Sequence, residues 1–366
     1  MSDPGIRALF QPEPGLAYLD AATYGLPPAP TIAAMDRATA MWRAGTAYWV
    51  TDWDRPAEDT RADFATLIGA TAADIALIPA VSVGVGLIAN TLGPDDVVVV
   101  ADDEFRSDLF PLLVAERRHG TTIRQVPFAG IADAIVPGTT FVAASLVQMQ
   151  TGRVADLAAI CERAKVVGAK VFLDSTHGTP FVPVAPHIAD IDFLVCHAYK
   201  HLLSPRGTTF LYVRADHVEE VPPLFAGWRN SHEPWSNFFR GPLDLVDDAG
   251  RFTVSLAWLA WVGTRESLRL IVEWSRAGVL AEPLALAAAF RDAIGSAPSA
   301  STLVCVPTED PERVRAALEA AHIRAAVRGD GIRFSPHVWN DAADVERAVA
   351  VVEPFVRRPG RAPSSA

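Results

Sequence analysis

Two polar residues that could form a catalytic site lie 26 residues apart (174 to 200), each near the end of an apolar run of the sequence. Asp174 closes the run Lys170–Asp174, and Lys200 follows the run Asp192–Cys196. A lysine held in a pocket that lowers its pKa can attack a carbonyl group as a neutral amine. Taken singly, such residues are more often a turn carboxylate and a surface cation, so the spacing alone does not decide between the two interpretations.

The elements around these residues predict a doubly wound α/β domain with a mostly parallel sheet. Short apolar runs rich in β-branched residues alternate with amphipathic stretches, which is typical of strands covered by helices on both faces. Ligands of such sheets bind beyond the carboxyl ends of the strands, where Asp174 and Lys200 are expected. The predicted strands are Asp74–Ile78, Val97–Ala101, Thr122–Val126, Thr140–Ser145, Lys170–Asp174, Asp192–Cys196 and Thr208–Val213, and the predicted helices are Val83–Thr91, Ser107–Arg118 and Ala155–Val167.

The pattern changes near residue 250, which predicts a large domain over residues 1–252 and a smaller C-terminal α/β domain over residues 253–366. The N-terminal segment is expected to be able to pack with the smaller domain. The stretch Ser255–Ile294 has a helical pattern, whereas Arg357–Ala366 has little apolar content and predicts a frayed end. The other predicted elements are strands Thr302–Val306, Ile323–Val327 and Ile332–Ser335, and helices Pro311–Ala321 and Ala342–Phe355.

Composition excludes several classes of function. Of the 366 residues, 50% are apolar and 20% are charged, as expected for a soluble globular protein. The net charge of −11 and the lack of a basic cluster argue against a nucleic-acid partner. Met1–Phe10 has no secretory pattern, and no run of about 18 apolar residues suggests a membrane partner, so we expect a cytoplasmic protein. Cys161, Cys196 and Cys305 share no metal-ligand spacing and read as reduced thiols, so no metal is expected.

Several segments resemble one family in the correct order. Asp174-Ser-Thr-His177 followed by His197-Ala-Tyr-Lys200 is similar to the core of the class V aminotransferase family. That family has the fold type I of pyridoxal phosphate (PLP) enzymes and includes cysteine desulfurases, kynureninases and isopenicillin N epimerase. The resemblance covers nearly the whole chain, because further similar segments are Tyr18–Thr23, Ala80–Gly84, Asp103–Phe105, Gln148–Gly152 and Gly331–Asn340.

The resemblance implies the catalytic roles. Lys200 would hold PLP as a Schiff base and move the proton at the substrate Cα. Asp174 would pair with the pyridine nitrogen, so that the ring withdraws electrons from Cα. His177 stands where desulfurases carry a glutamine that contacts the phenolic oxygen of the cofactor, and an imidazole N–H could replace it. A histidine satisfied by the backbone is the alternative.

The resemblance also implies contacts to the rest of the cofactor. Ser82 and Val83, at the start of a predicted helix, would bind its phosphate through backbone amides and a hydroxyl, although an N-cap serine without a ligand is the alternative. His197 and Tyr199 would supply further phosphate contacts. Phe105 would stack on the ring, unless it is a core residue.

Two further contacts complete the predicted site. Gln148 is a candidate contact to a ring substituent, with Met149 at the nearest aligned position. Arg333 would bind the substrate α-carboxylate through its planar fork, and a surface strand arginine is the alternative.

The sequence disfavours one reaction of this family and leaves three others open. Desulfurases of this family need a mobile cysteine shortly before the final arginine segment, whereas Val327–Arg333 has neither a cysteine nor room for a loop. Cys305 is expected in a strand and Cys196 is expected to be buried. We therefore expect a PLP enzyme that acts on an amino acid or a similar metabolite by transamination, epimerisation or β-elimination.

Other functions stay in view. A desulfurase-like C–S lyase and a non-catalytic PLP-fold binding protein are the alternatives, although the second predicts loss of Lys200 or Asp174 and both are present. A nicotinamide dehydrogenase is disfavoured because no Gly-x-Gly-x-x-Gly follows the first strand. Fold type I enzymes usually form dimers, so the resemblance also implies a homodimer.

Overall fold

The computed structural model describes residues 4–356. The chain begins with helix α1 (Pro4–Arg7) and a two-residue strand, β1 (Ala17–Tyr18), followed by helices α2 (Ala29–Ala44) and α3 (Arg55–Ile68). The predicted frayed segment Arg357–Ala366 lies outside the described residues.

A seven-stranded sheet forms the centre of the molecule, with the strand order β2-β8-β7-β6-β5-β3-β4. Strand β8 runs antiparallel to both of its neighbours, and the other pairs are parallel. The strands are β2 (Ile75–Ile78), β3 (Val97–Ala101), β4 (Thr122–Val126), β5 (Phe141–Ser145), β6 (Lys170–Asp174), β7 (Phe193–His197) and β8 (Thr209–Val213). The predicted α/β class and these strands are confirmed, with strand ends that differ by at most one residue.

Helices cover both faces of this sheet because successive residues of the strands are apolar and point alternately to the two faces. Val98 and Val100 pack on one face with helices α4 (Val81–Ala89) and α5 (Arg106–His119). Val99 and Ala101 pack on the other face with helix α7 (Leu157–Val167). The short helix α6 (Ile131–Ala134) lies between β4 and β5. The three predicted helices are thus present, and α4 begins two residues earlier than predicted.

Local sequence signals set the ends of helix α7. The side chain of Asp156 accepts a hydrogen bond of 3.0 Å from the amide of Ala159, which caps the first turn. The helix ends where Gly168 adopts a φ of +74°, a left-handed conformation that favours glycine. Strand β6 then begins at Lys170 and carries the chain to Asp174.

The parallel register brings the polar strand ends together. Ser145, at the end of β5, pairs with Asp174 at the end of β6, and Asp174 pairs with Val195 of β7. The segments that follow β3 and β7 leave the sheet at the same edge. Glu104 and Lys200 are therefore brought close to Asp174 by the topology of the sheet.

The C-terminal part contains two long helices and a second small sheet. Where the sequence pattern suggested one long helical stretch, α8 (Trp258–Arg276) and α9 (Ala281–Ile294) are separate, because Gly278 between them has a φ of +74°. The remaining elements are strand β9 (Val304–Pro307), helix α10 (Pro311–Ala320), strands β10 (Ile323–Arg324), β11 (Ala326–Arg328) and β12 (Gly331–Phe334), and helix α11 (Ala342–Val352).

The predicted strand Ile323–Val327 is divided between two sheets. Its first part, β10, pairs in parallel with β1 near the N-terminus, and its second part, β11, pairs with β12 in the antiparallel sheet β11-β12-β9. The N-terminal segment thus packs with the C-terminal part of the chain. Leu19, at the end of this segment, is fully buried in the same apolar cluster as Phe290 and Phe334.

The division between domains at residues 252 and 253 stays a proposal. Helix α8 packs against α2 and α3, and its Trp261 is buried in the same cluster as Phe210 of the large sheet. The small sheet has a separate apolar cluster, in which α9 is the first element of the C-terminal part and the N-terminal segment contributes Ala17 and Leu19. This packing favours a boundary closer to α9 than the sequence predicted. No helix within residues 4–356 is long and apolar enough to cross a bilayer.

Candidate active site

A cavity of about 650 Å³ lies beyond the carboxyl ends of the parallel strands. Tyr199 and Lys200 line it from the segment after β7, and Phe105 lines it from the segment after β3. Arg328 and Arg333 line it from the small sheet. The cavity is thus bounded by both parts of the chain, as expected for a site at the end of a doubly wound sheet.

Lys200 is buried and forms a close contact with a histidine. Its Nζ lies 3.0 Å from Nε2 of His177. Burial lowers the pKa of Lys200 to about 8, against the opposing effect of the nearby Asp174 carboxylate. The pKa of His177 is held well below its usual value, chiefly by burial and then by Lys200, so the imidazole is neutral. An amine with this pKa has a substantial neutral fraction near physiological pH and can act as a nucleophile or a base.

Asp174 is fixed at the end of β6 by the turn that follows it. Its Oδ1 accepts a hydrogen bond of 2.8 Å from the amide of Thr176. The hydroxyl of Thr176 in turn accepts a hydrogen bond of 2.9 Å from the amide of His197. Burial raises the pKa of Asp174, and its hydrogen bonds from Thr176 and the charge of Lys200 oppose that shift. The carboxylate is therefore held rigidly near Lys200. Asp174 is not among the residues that line the cavity, and its pairing with a cationic group of a ligand stays a prediction.

Phe105 lies at the cavity rim with its ring 5.7 Å from Nζ of Lys200. Its backbone is fixed by Glu104, whose Oε1 accepts hydrogen bonds from the Phe105 amide (2.8 Å) and from Oγ of Ser145 (2.6 Å). The Ser145 amide donates to the other Glu104 oxygen at 3.1 Å. The segment after β3 is thereby attached to the end of β5. Phe105 remains 40% exposed, so a planar ligand could stack against it.

The predicted phosphate contacts are only partly brought together. Tyr199 lines the cavity and meets the ring of His197 edge-on, with centroids 4.2 Å apart. The Nδ1 of His197 contacts the Thr208 carbonyl and the Thr209 hydroxyl, and burial lowers the pKa of His197 to about 4. His197 is therefore neutral and packs against Tyr199, and the roles of both residues in binding phosphate stay predictions.

Ser82 and Val83 lie in the first turn of α4 and line a separate depression on the surface, not the Lys200 cavity. Because α4 begins two residues earlier than predicted, the Val83 amide already donates to the Ala80 carbonyl at 3.1 Å. The first-turn amides of Val81 and Ser82 are the better placed donors of this helix. The role of Ser82 and Val83 in binding phosphate stays a prediction.

Gln148 is buried, and its side-chain amide is hydrogen-bonded to neighbouring residues. Its nitrogen donates to Oδ2 of Asp103 at 2.9 Å, and its oxygen accepts from the amides of Gln150 (2.7 Å) and Thr151 (2.6 Å). Its neighbour Met149 lines the cavity instead. These bonds hold the loop in shape, and a contact of Gln148 with a ligand stays a prediction.

Arg333 is 1% exposed and incompletely neutralised. One Nη2 hydrogen bond of 2.9 Å reaches Oγ1 of Thr23, and Oδ1 of Asp20 lies 3.6 Å from the same nitrogen. The Nε has no hydrogen-bond partner within residues 4–356. Burial and then the charge of Arg328 lower the pKa of Arg333 to about 10. A carboxylate bound in the cavity would supply the missing acceptor and the missing negative charge.

Sequence patterns missed four residues of this site. Arg328 donates to the same Thr23 hydroxyl at 2.9 Å, and Glu104 holds the ring-covering segment. Asp108 is buried beside Asp174 in the first turn of α5. A signal for Asp108 was available, because Asp108, Leu112 and Ala115 follow the spacing of one helix face and the other two are apolar. The link of Thr23 to arginines more than 300 residues away left no local signal.

The cysteines do not reach the cavity. Strands β11 and β12 form a tight hairpin in which Arg328 pairs with Gly331, so the expected lack of a loop before Arg333 is confirmed. Cys305 lies in β9 opposite Arg333, as predicted, and burial raises its pKa to about 12. Cys196 is fully buried, with its pKa raised to about 12 by burial. None of these thiols is placed or ionised to act as a nucleophile in the cavity.

The residues present fit PLP. An aromatic ring could lie against Phe105, with its nitrogen at Asp174 and its aldehyde at the amine of Lys200. Two buried side-chain atoms that have no partner within residues 4–356 could bind polar groups of a ligand. They are Nε of Arg333, which lines the cavity, and Nδ1 of His177, whose ring contacts the cavity-lining Lys200. The donor set of a neutral amine, a fixed carboxylate and a guanidinium is the one this cofactor and an amino acid require.

Comparisons with known proteins show the family of this chain. The model of the family described as Aminotransferase class-V matches residues 17–347. A probable cysteine desulfurase of Aeropyrum pernix is 30% identical over 59% of this chain and 56% of its own length. A kynureninase of Salinispora tropica is 28% identical over 62% of this chain and 61% of its own length. The chain thus matches less than two thirds of the length of these curated relatives.

A solved structure shows the same fold. The apo structure of the cysteine desulfurase from Thermococcus onnurineus NA1 superposes with a TM-score of 0.83, covering 97% of this chain and 98% of that one at 20% identity. At this identity the likeness concerns the fold alone, which is the predicted fold type I. The family match spans nearly all of the chain. The chain therefore belongs to the class V aminotransferase family, a family of PLP enzymes of fold type I.

Proposed function

We propose that this chain is a PLP-dependent enzyme that acts at the Cα of an amino acid, with Lys200 as the group that takes and returns the Cα proton. The observation that carries the proposal is the buried amine itself. Its pKa of about 8 and its 3.0 Å contact with a neutral histidine suit a base that must exchange protons near neutral pH. Bound PLP supplies an electron-withdrawing ring to the amino acid attached to it.

The residues around Lys200 have separate tasks in this proposal. Asp174 pairs with the pyridine nitrogen and holds the ring in one orientation. Phe105 covers one face of the ring and limits the access of water. His177 is neutral, so it can accept a hydrogen bond from the Lys200 ammonium and orient the amine without adding a second positive charge.

Arg333 supports an α-amino acid as the substrate. Its guanidinium is buried, points toward the cavity and lacks a full complement of acceptors. A substrate carboxylate bound there would hold the amino acid in the same cavity as the amine of Lys200. Such a charge-assisted pair contributes both affinity and orientation.

The fate of the Cα proton stays open between transamination, epimerisation and β-elimination. A C–S lyase is a second candidate, favoured by an apolar part of the cavity wall that an uncharged sulfur side chain would fit, formed by Ile32 and Met35. A persulfide relay is disfavoured because the tight β11–β12 hairpin offers no mobile cysteine. A non-catalytic binding protein is disfavoured by the buried pair of Lys200 and Asp174.

One experiment tests the activity directly. The protein, reconstituted with PLP, is incubated in D2O with a panel of amino acids while deuterium at Cα, keto acids and β-elimination products are followed. We expect deuterium exchange with at least one amino acid, and its loss in Lys200→Ala. A protein that takes up PLP but exchanges no Cα proton with any amino acid would contradict the proposal.

We also propose a cytoplasmic homodimer. Several large apolar side chains are strongly exposed, among them Tyr48 (79%), Phe239 (80%) and Leu243 (80%). Exposed apolar side chains of this size are typical of association surfaces where they lie together. Light scattering coupled to gel filtration should give twice the mass of the chain, and a monomer at micromolar concentration would contradict this.

A further inference from the structure

A second buried carboxyl group lies beside Asp174. Asp108, in the first turn of α5, is 4% exposed, and neither of its carboxyl oxygens has a hydrogen-bond donor within residues 4–356. A buried carboxylate without donors is costly, because the free energy of transfer of the charge from water is not offset. The group therefore has a partner of another kind or does not carry a charge.

The surroundings of Asp108 supply that partner. Its side chain is within hydrogen-bonding contact of the Asp174 carboxyl, and Glu104 is a further acidic neighbour. Lys200 is the cationic group whose charge acts on it. Helix α4, which packs against α5, has no titratable residue. Strand β4, which also packs against α5, carries Arg124, whose Nη1 donates to the Ala134 carbonyl at 3.3 Å. Asp108 thus faces two acids and one amine whose own contact is with His177.

Two buried carboxyl groups in contact cannot both be ionised, since like charges at this distance favour the sharing of one proton. Asp174 accepts from the Thr176 amide and hydroxyl, which stabilises its anionic form, whereas Asp108 has no such donor. We propose that Asp108 is a neutral carboxylic acid at physiological pH that donates its proton to Asp174, so that the pair carries one negative charge and Asp108 acts as a positioning residue.

The consequence for the cofactor rests on the proposed function. A protonated Asp108 satisfies one oxygen of Asp174 and keeps that residue in its anionic form. A single negative charge beside the ring matches one protonated pyridine nitrogen. Without the Asp108 donor, Asp174 would be a buried anion with fewer hydrogen bonds, and at lower pH it would take up the proton itself. Binding of a cationic ring nitrogen would then require loss of that proton.

The proton count can be measured without the cofactor. Burial, together with Asp174 and Glu104, raises the pKa of Asp108 well above 3.8. A group whose pKa is raised by folding stabilises the folded state fully below its unfolded pKa and loses that contribution as pH rises toward its folded pKa. The apo-protein should therefore hold one proton more than its unfolded chain at neutral pH.

Urea unfolding of the apo-protein and of Asp108→Asn tests this. The asparagine amide donates to Asp174 without a titrating proton. From about pH 5 to about pH 7, the folding equilibrium constant of Asp108→Asn relative to the wild type should rise about tenfold per pH unit. Asp174→Asn removes the shared proton from the other side and should give the same slope. The exposed Asp102→Asn is the matched control and should leave the ratio constant.

A ratio that stays constant with pH for both Asp108→Asn and Asp174→Asn would overturn the shared proton. The positioning role has its own readout in the dissociation constant of PLP. The ratio of this dissociation constant in Asp108→Ala to that in the wild type should fall as pH rises. The same ratio for Asp108→Asn should not change with pH. A pH-independent loss of affinity in Asp108→Ala would make the residue merely structural. Neither measurement depends on turnover, so a failure of the shared-proton proposal can be told apart from a failure of the proposed activity.

Discussion

Nζ of Lys200 lies 3.0 Å from Nε2 of His177, and both groups are buried at the carboxyl edge of the sheet. The two residues are 23 positions apart in sequence, each following a neighbouring parallel strand. Because the pKa of His177 is held well below its usual value, the imidazole does not add charge and does not repel the Lys200 ammonium. The contact therefore orients the amine while leaving burial as the main cause of its lowered pKa.

The rate of covalent PLP attachment should depend on pH through Lys200. Its pKa of about 8 means that the reactive neutral amine increases with pH below that value and saturates above it. We expect the reconstitution rate constant of the apo-protein to rise about tenfold per pH unit on the acid side and to level off near pH 8. Stopped-flow absorbance measures it. A rate that continues to rise beyond pH 10 would show an amine with an ordinary pKa.

Lys200→Ala should retain PLP without attaching it. The Asp174 pairing and the contacts of the ring do not depend on the amine, whereas the covalent bond does. Mass spectrometry after borohydride treatment should show the added cofactor in the wild type and in Lys165→Ala, and none in Lys200→Ala. Lys165 is an exposed lysine in α7 and serves as the control. Covalent attachment that persists in Lys200→Ala would identify another lysine as the attachment site.

His177→Gln should be milder than His177→Ala. A glutamine amide can keep a hydrogen bond to Lys200 or to the phenolic oxygen of the cofactor, whereas alanine leaves a buried amine without its partner. Loss of such a bond costs about 1–3 kcal/mol, so kcat should fall about 10- to 100-fold in the alanine variant. Equal kcat values for the two variants would mean that the imidazole contact has no catalytic effect.

The sequence predicted the parts of the site that follow from backbone position. Asp174 and Lys200 were expected at one edge because each lies at or just after the end of a buried strand, and the ends of parallel strands meet there. The strands themselves were found because β-branched runs bury both faces of the sheet. The roles of Asp174, Lys200 and Phe105 came from the resemblance to the class V aminotransferase family and not from their positions.

The rest of the site depends on contacts between distant segments, which no local pattern encodes. Thr23 reaches Arg328 and Arg333 only because β1 pairs with β10 and brings the N-terminal segment to the small sheet. Gln148 illustrates the converse. Its position suggested a ligand contact, which stays a prediction, and in the structure its side-chain oxygen accepts hydrogen bonds within its own loop. The start of α4 was misjudged by two residues, and this changed which amides its first turn offers.

Arg333→Gln should specifically impair the recognition of the substrate. The variant keeps a hydrogen-bonding side chain but loses the charge and the fork that a carboxylate requires. We expect kcat/KM to fall about 100-fold, as for the loss of a charge-assisted pair worth about 3 kcal/mol, with PLP affinity unchanged. Arg163→Gln, an exposed arginine of α7, is the control. A fall in PLP affinity with kcat/KM retained would assign Arg333 to the cofactor instead of the substrate.

Glu104→Gln should loosen the segment that carries Phe105. The wild-type carboxylate accepts hydrogen bonds from the Ser145 hydroxyl and amide and from the Phe105 amide, and a glutamine has only one accepting oxygen for them. At least one donor is left without its acceptor, which should lower the free energy of unfolding by about 1–3 kcal/mol. Urea unfolding measures this loss against Glu116→Gln in α5, where the side chain is exposed.

Because Glu104 does not itself touch Lys200, the pH at which PLP attachment saturates should be unchanged while PLP affinity falls. A shift of that pH toward the usual range of a lysine would show instead that Glu104 acts on the amine through its charge.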